Sequence, residues 1–112
     1  MSKEYLPLDK QKRTSPRINT KLHAFYRLKN QESWVDCTIF NVSKGGLYIE
    51  GKFSFYVNDL LELKFSLGSH LIKAESKIKS ISGKKAGAGF VKISDADKIY
   101  LENFIQEKIY SD

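Results

Sequence analysis

Two arginines, Arg13 and Arg17, stand four residues apart in the run Lys12-Arg13-Thr14-Ser15-Pro16-Arg17. Pro16 fixes its own φ and biases Ser15 toward extended backbone. An ordinary helix is therefore not expected here, and both guanidinium groups are presented from irregular chain. Two such planar forks can grip a phosphate, hydrogen-bond the O6/N7 edge of a guanine or stack on its face. Lys12 is a possible third contact or a plain solvated lysine. A second constellation is Asn41-Val42-Ser43-Lys44-Gly45-Gly46. An Asn and a Ser two apart can bond nearby backbone amides and build a rigid turn. Gly45 and Gly46 permit positive φ and let a ligand approach the main chain.

Charge gathers around the first of these stretches. The chain has 112 residues and a formal net charge of +6. Residues 1–30 hold eight basic and two acidic residues and so carry that whole excess, while residues 31–112 are balanced. All three arginines (Arg13, Arg17 and Arg27) lie in the first part. One local anionic partner fits this distribution better than a broad nucleic-acid track.

Other chemistry finds little support. His23 and His70 have no carboxylate or thiol at a suggestive spacing along the chain, so packing or surface roles are expected. Cys37 is the single cysteine. It excludes an internal disulfide and is expected as a small core residue. No GxxxxGK[ST] phosphate loop occurs, and Gly87-Ala88-Gly89 is too short a glycine run for a dinucleotide fold. Asp95 and Asp97 suit a helix N-terminus. No enzyme, metal site or cofactor is expected. No apolar run approaches the roughly 18 residues that a membrane span needs. The N-terminus has no signal-peptide core, so a cytoplasmic protein is expected.

The elements that must position the two constellations follow from periodicity. Residues 1–19 hold both prolines and little apolar pattern. They are expected to form a flexible N-terminal arm carrying Arg13 and Arg17, with one folded domain over residues 20–112. Lys21–Leu28 is aromatic-rich and of strand length. Val35, Cys37 and Ile39 alternate with Trp34, Thr38 and Phe40. Leu47–Glu50 and Leu61–Phe65 are short strands. Ile72, Ala74, Ser76 and Ile78 face one way and Lys73, Glu75, Lys77 and Lys79 the other. Ala86–Ile93 is a strand whose early glycines suggest close backbone approach or a bend. Leu101, Phe104, Ile105 and Ile109 form a helical stripe behind the capping residues at 94–97. Six or seven short strands with closely spaced turns predict a closed or nearly closed antiparallel barrel, with one C-terminal α-helix.

Taken in order, an R-x-x-x-R pair (Arg13, Arg17) followed by [D/N]-x-S-x-x-G (Asn41, Ser43, Gly46) resembles the PilZ domain, a bacterial receptor module for cyclic di-GMP. Gly46-Leu47-Tyr48-Ile49, Asn58-Asp59-Leu60-Leu61-Glu62-Leu63 and Gly87-Ala88-Gly89-Phe90-Val91 resemble its later elements over roughly residues 12–110. The resemblance implies a mainly β fold: a small six-stranded antiparallel barrel with a C-terminal helix. It implies that Arg13 and Arg17 wrap over the nucleotide, that Asn41 and Ser43 bind the guanine edge and fix the turn, and that Gly46 leaves room. Position 41 is Asn where many members have Asp, so one carboxylate acceptor pair is replaced by an amide. The residue before the first arginine bears on ligand stoichiometry in the family, and here it is Lys12. The implied partners are cyclic di-GMP and a downstream protein effector. Two alternatives stay open: a PilZ-like adaptor that binds no nucleotide, and a small basic barrel for RNA or single-stranded DNA.

Overall fold

Strict alternation of apolar and polar residues sets the strands, because successive side chains in extended chain point to opposite faces. The computed structural model describes residues 17–110. The strands are β1 (Arg17–Leu28), β2 (Val35–Ser43), β3 (Gly46–Gly51), β4 (Leu60–Leu67), β5 (His70–Ser82) and β6 (Lys85–Ile93). One helix, α1 (Asp95–Tyr110), follows. β1 starts at Arg17, so residues 17–19 of the expected arm belong to the barrel. Lys12, Arg13 and the other residues before 17 lie outside the described residues.

The strands close into a barrel in the order β1-β2-β3-β6-β5-β4, with β4 pairing back to β1. Every pairing is antiparallel. Two hairpins turn on Gly68 and Gly83, whose φ values of 60° and 65° suit the first central position of a two-residue loop.

Inward positions fill the core. Ile39, Ile49, Leu61, Leu67, Ile72 and Ile78 are fully buried. In β2 the alternation breaks at a register shift between Ile39 and Asn41. The bulge makes Val42, three residues after Ile39, the next inward side chain, and Ser43 beside it is buried too. Between β3 and β4, residues 52–59 send Phe55 back into the core. Its ring lies 5.1 Å from that of Tyr26. Phe53, Tyr56 and Val57 stay exposed.

Burial of Cys37 pushes its thiol up to about 12, and the neighbouring Asp36 charge adds to the shift. The thiolate is the reactive form. Cys37 is therefore expected to resist a disulfide-exchange reagent at neutral pH until the barrel unfolds. Rapid labelling of the native protein would contradict this.

Helix α1 packs by Leu101 and Ile105, both buried, with Phe104 against the same core. Ile109, the last residue of the expected stripe, is 38% exposed. The stripe therefore runs past the core it covers. The start of α1 is fixed by polar contacts. Ser94 Oγ accepts the Asp97 N–H at 3.1 Å, and its carbonyl accepts the Lys98 N–H at 2.9 Å. Asp97 also reaches across to β5, pairing with His70 Nε2 at 2.8 Å and accepting the Lys73 N–H at 3.2 Å. Tyr100 stacks on His70 at 4.3 Å and donates to the Leu67 carbonyl at 2.9 Å. Chain spacing did not reveal this pairing, because tertiary contact joins groups 27 residues apart. His23 likewise meets Asp36 at 3.0 Å.

Burial raises the Asp97 carboxyl, but the bonds from His70, Lys73 and Ser94, with the His70 charge, outweigh it and hold the group below its usual 3.8. A depressed carboxylate stabilises the fold at pH above its unfolded value and loses that contribution as pH falls through the lower folded value. Asp97→Asn is expected to cost about 1.5 kcal/mol at neutral pH, the scale of a charge-assisted hydrogen bond. The gap from wild type should close in acid melts below about pH 4. A gap that does not narrow as the pH falls below that value would contradict the assignment.

Candidate functional site

The site is built where the start of β1, the end of β2 and the start of β3 meet. Arg17 pairs with Ser43 across β1–β2, and Ser43 pairs with Gly46 across the β2–β3 turn. Three of the motif positions are thus neighbours by strand register. Arg17 Nη1 donates to Asn41 Oδ1 at 2.8 Å, which joins the two sequence constellations directly. Because the Asn41 oxygen takes this bond, its amide N–H groups are left as donors.

Ser43 is 3% exposed, and its hydroxyl organises the turn. Its Oγ accepts the Gly45 N–H and donates to the Gly46 carbonyl, each at 3.3 Å. The Gly45 carbonyl accepts the Phe90 N–H at 2.9 Å, so the turn is also tied to β6. The glycines act differently from the expectation of positive φ. Among the described glycines only Gly68 and Gly83 have positive φ. Gly46 is required by space instead. A Cβ there would overlap the Ala88 carbonyl oxygen and sit 3.1 Å from Gly89 Cα, both backbone atoms of β6. Gly45 has open space around it.

Beside the turn lies an open pocket of about 340 Å³ on the outer wall. Arg17, Ser43, Gly46, Lys79, Ser80 and Gly89 are among its lining residues, and none of the lining residues is acidic. Its floor follows from the pleat. In β6, Ala86 and Ala88 are buried, so Gly87 and Gly89 occupy the outward positions. Gly46 pairs with Gly89 and Tyr48 with Gly87. Three neighbouring outward positions therefore carry no side chain of their own, and the Ser80 hydroxyl and the Lys79 stem lie over Gly87 and Gly89. Lys79 and Ser80 form the opposite wall. A register shift between Ile78 and Ser80 turns both of these consecutive residues outward. Sequence reading placed Lys79 on the wet face but did not connect it to the site. The available signal was the loss of alternation after Ile78.

Arg17, Asn41, Ser43 and Gly46 are thus brought together. Arg13 and Lys12 lie outside the described residues.

The sequence model of one family, the PilZ domain, matches residues 11–107. This chain belongs to the PilZ domain family. Solved structures, PilZ domains among them, share its fold. The Bacillus subtilis inhibitor of motility MotI/DgrA superposes with a TM-score of 0.75 at 17% identity, over 85% of this chain and 50% of that one. The PilZ domain of YcgR from Escherichia coli, solved with c-di-GMP, gives 0.71 at 14% identity, over 87% and 91%. The PlzA protein of Borreliella burgdorferi, in complex with c-di-GMP, gives 0.65 at 22% identity, over 88% and 43%. This PilZ chain spans about half of MotI/DgrA and less than half of PlzA. A search of curated protein sequences returns no match. Among the described residues, no helix of the PilZ chain is long and apolar enough to cross a membrane.

Proposed function

We propose that this PilZ protein is a cytoplasmic receptor for cyclic di-GMP that signals to a partner protein, without catalysis and without a cofactor. The observation that carries this reading is the Arg17–Asn41 bond at 2.8 Å, beside the Ser43 turn and the glycine-floored pocket. The ligand has two guanines and two phosphates, and the site has matching parts. Arg17 supplies a planar fork for a phosphate or a guanine Hoogsteen edge. The Asn41 amide supplies donors for a guanine acceptor. Ser43 keeps the turn rigid, and Gly46 keeps β3 close to β6. The absence of acids from the pocket lining favours a dianion.

Arg13, with Lys12 beside it, supplies the second fork from the segment ahead of β1. Contacts from both ends of the R-x-x-x-R pair would draw that segment over the pocket. The surface offered to a partner protein then differs between free and bound forms, and the ligand shifts the population by its differential affinity. The presence of c-di-GMP in the YcgR and PlzA structures supports the choice of ligand.

Calorimetric titration with cyclic di-GMP tests the proposal and returns the stoichiometry. Saturable heat at micromolar ligand is expected. No heat at tens of micromolar protein, where specific nucleotide binding is measurable, would reject it.

A further inference from the structure

The two motifs account for one side of the pocket and leave the other unexplained. On that side Lys79 is exposed, at a strand irregularity that aims it outward beside Ser80. Its stem lies along the glycine floor. A Cβ placed on Gly89 would meet Lys79 Cε at 3.0 Å and Lys79 Cγ at 3.8 Å. Four other cations of the barrel are engaged. Arg27 bonds Glu62 at 2.8 Å, Lys29 reaches Glu75 at 3.3 Å, Lys64 lies over the Trp34 ring at 4.1 Å, and Lys85 lies over Phe40 at 5.2 Å. Lys79 has no acidic or aromatic partner among the described residues, and no acid lines its pocket. A cation held over bare backbone, facing Arg17 across one groove, is placed for an anion between them.

We infer that Lys79 is a further ligand-binding residue of this site: its ammonium contacts the phosphate on the far side of the groove from Arg17. This deepens the cyclic di-GMP reading and rests on it. Arg17 and Lys79 then divide the work by chemistry. The guanidinium reads a planar edge or forms a bidentate contact, while the ammonium neutralises charge as a point donor. No Cβ rises from positions 46, 87 or 89, so the Lys79 stem and the Ser80 hydroxyl lie close against the backbone and Lys79 borders the groove. The lysine also makes the site selective for a ligand with phosphate on two sides of the groove over a mononucleotide that reaches Arg17 alone.

The test is calorimetric titration of cyclic di-GMP and of GMP into the wild-type chain, Lys79→Ala and Lys79→Arg, at low and raised salt. Thermal melts check the fold of each variant. Lys79→Ala is expected to melt with wild type, because an exposed lysine with no partner among the described residues adds little stability. It should bind cyclic di-GMP about tenfold more weakly, with reduced salt sensitivity. Lys79→Arg should restore affinity to within about threefold of wild type, since the charge is kept. The preference for cyclic di-GMP over GMP should shrink in Lys79→Ala. Wild-type binding with Lys79→Ala within twofold would overturn the role of Lys79 and leave the receptor reading intact. Equal losses in Lys79→Ala and Lys79→Arg would also overturn it, pointing to packing and not charge. Absence of binding by the wild-type chain would reject both readings together.

Discussion

Replacing Arg17 with alanine is expected to weaken cyclic di-GMP binding by about a hundredfold while leaving the melting temperature almost unchanged. The asymmetry follows from where the residue sits. Its side chain is exposed, and its hydrogen bond to Asn41 is on the surface. An exposed contact of this kind contributes little to folding, usually within about 0.5 kcal/mol. Against a bound dianion the same guanidinium makes charge-assisted bonds, worth roughly 1.5–3 kcal/mol each. A hundredfold loss is about 2.8 kcal/mol. Arg17 also holds the Asn41 oxygen, so its removal frees that amide to rotate and disturbs a second contact. Arg17→Lys should recover part of the loss, because it restores charge but not the fork. Calorimetry on the variants, beside thermal melts, separates binding from folding. Unchanged affinity in Arg17→Ala would remove this residue from the site.

Gly46→Val should do the reverse and damage the fold first. The added Cβ would run into the Ala88 carbonyl, and every nearby obstacle is backbone of β6. No rotamer change relieves it. β3 and β6 would have to separate, breaking the ladder from Gly46–Gly89 to Glu50–Lys85. Overpacking of a tight core costs typically 1–3 kcal/mol, and a backbone clash belongs at or above the top of that range. About 3 kcal/mol would lower the melting temperature of a domain this size by roughly 12–24 °C. Gly45→Ala is the matched control. It meets open space and should be near neutral. Equal melting temperatures for Gly46→Val and wild type would refute the packing role of Gly46.

Much of the barrel was legible because period-2 patterning is a direct consequence of the pleat. Leu61, Leu63 and Phe65 alternate in sequence and are all buried. The helix was legible from Leu101, Phe104 and Ile105, and its start from Ser94 and Asp97. The meeting of Arg17 with the Asn41 turn was legible as two motifs in order, although the contact itself needed strand register. What escaped detection depended on irregularity or distance. The bulges in β2 and β5 shift side chains by one position, and only the loss of alternation after Ile78 hints at the second. Phe55 sits in a stretch of mixed character, yet its ring fills the core beside Tyr26. The carboxylates facing His23 and His70 come from other elements. Gly45 and Gly46 were open to left-handed backbone by type, whereas space against Ala88 is what selects glycine at position 46.

Closure of the barrel has a further bearing on how this protein meets a partner. Each of the six strands is paired on both sides. A common way for signalling domains to recruit a peptide is to lend an open sheet edge, so that the newcomer is read through main-chain hydrogen bonds. Among the described residues that route is shut. Under the proposed receptor reading, an effector would recognise outward side chains such as those of the exposed Phe53-Tyr56-Val57 loop. Partner choice would then rest on residues that can change without disturbing the ladder beneath them. On that reading the barrel could stay constant while its partners diverge.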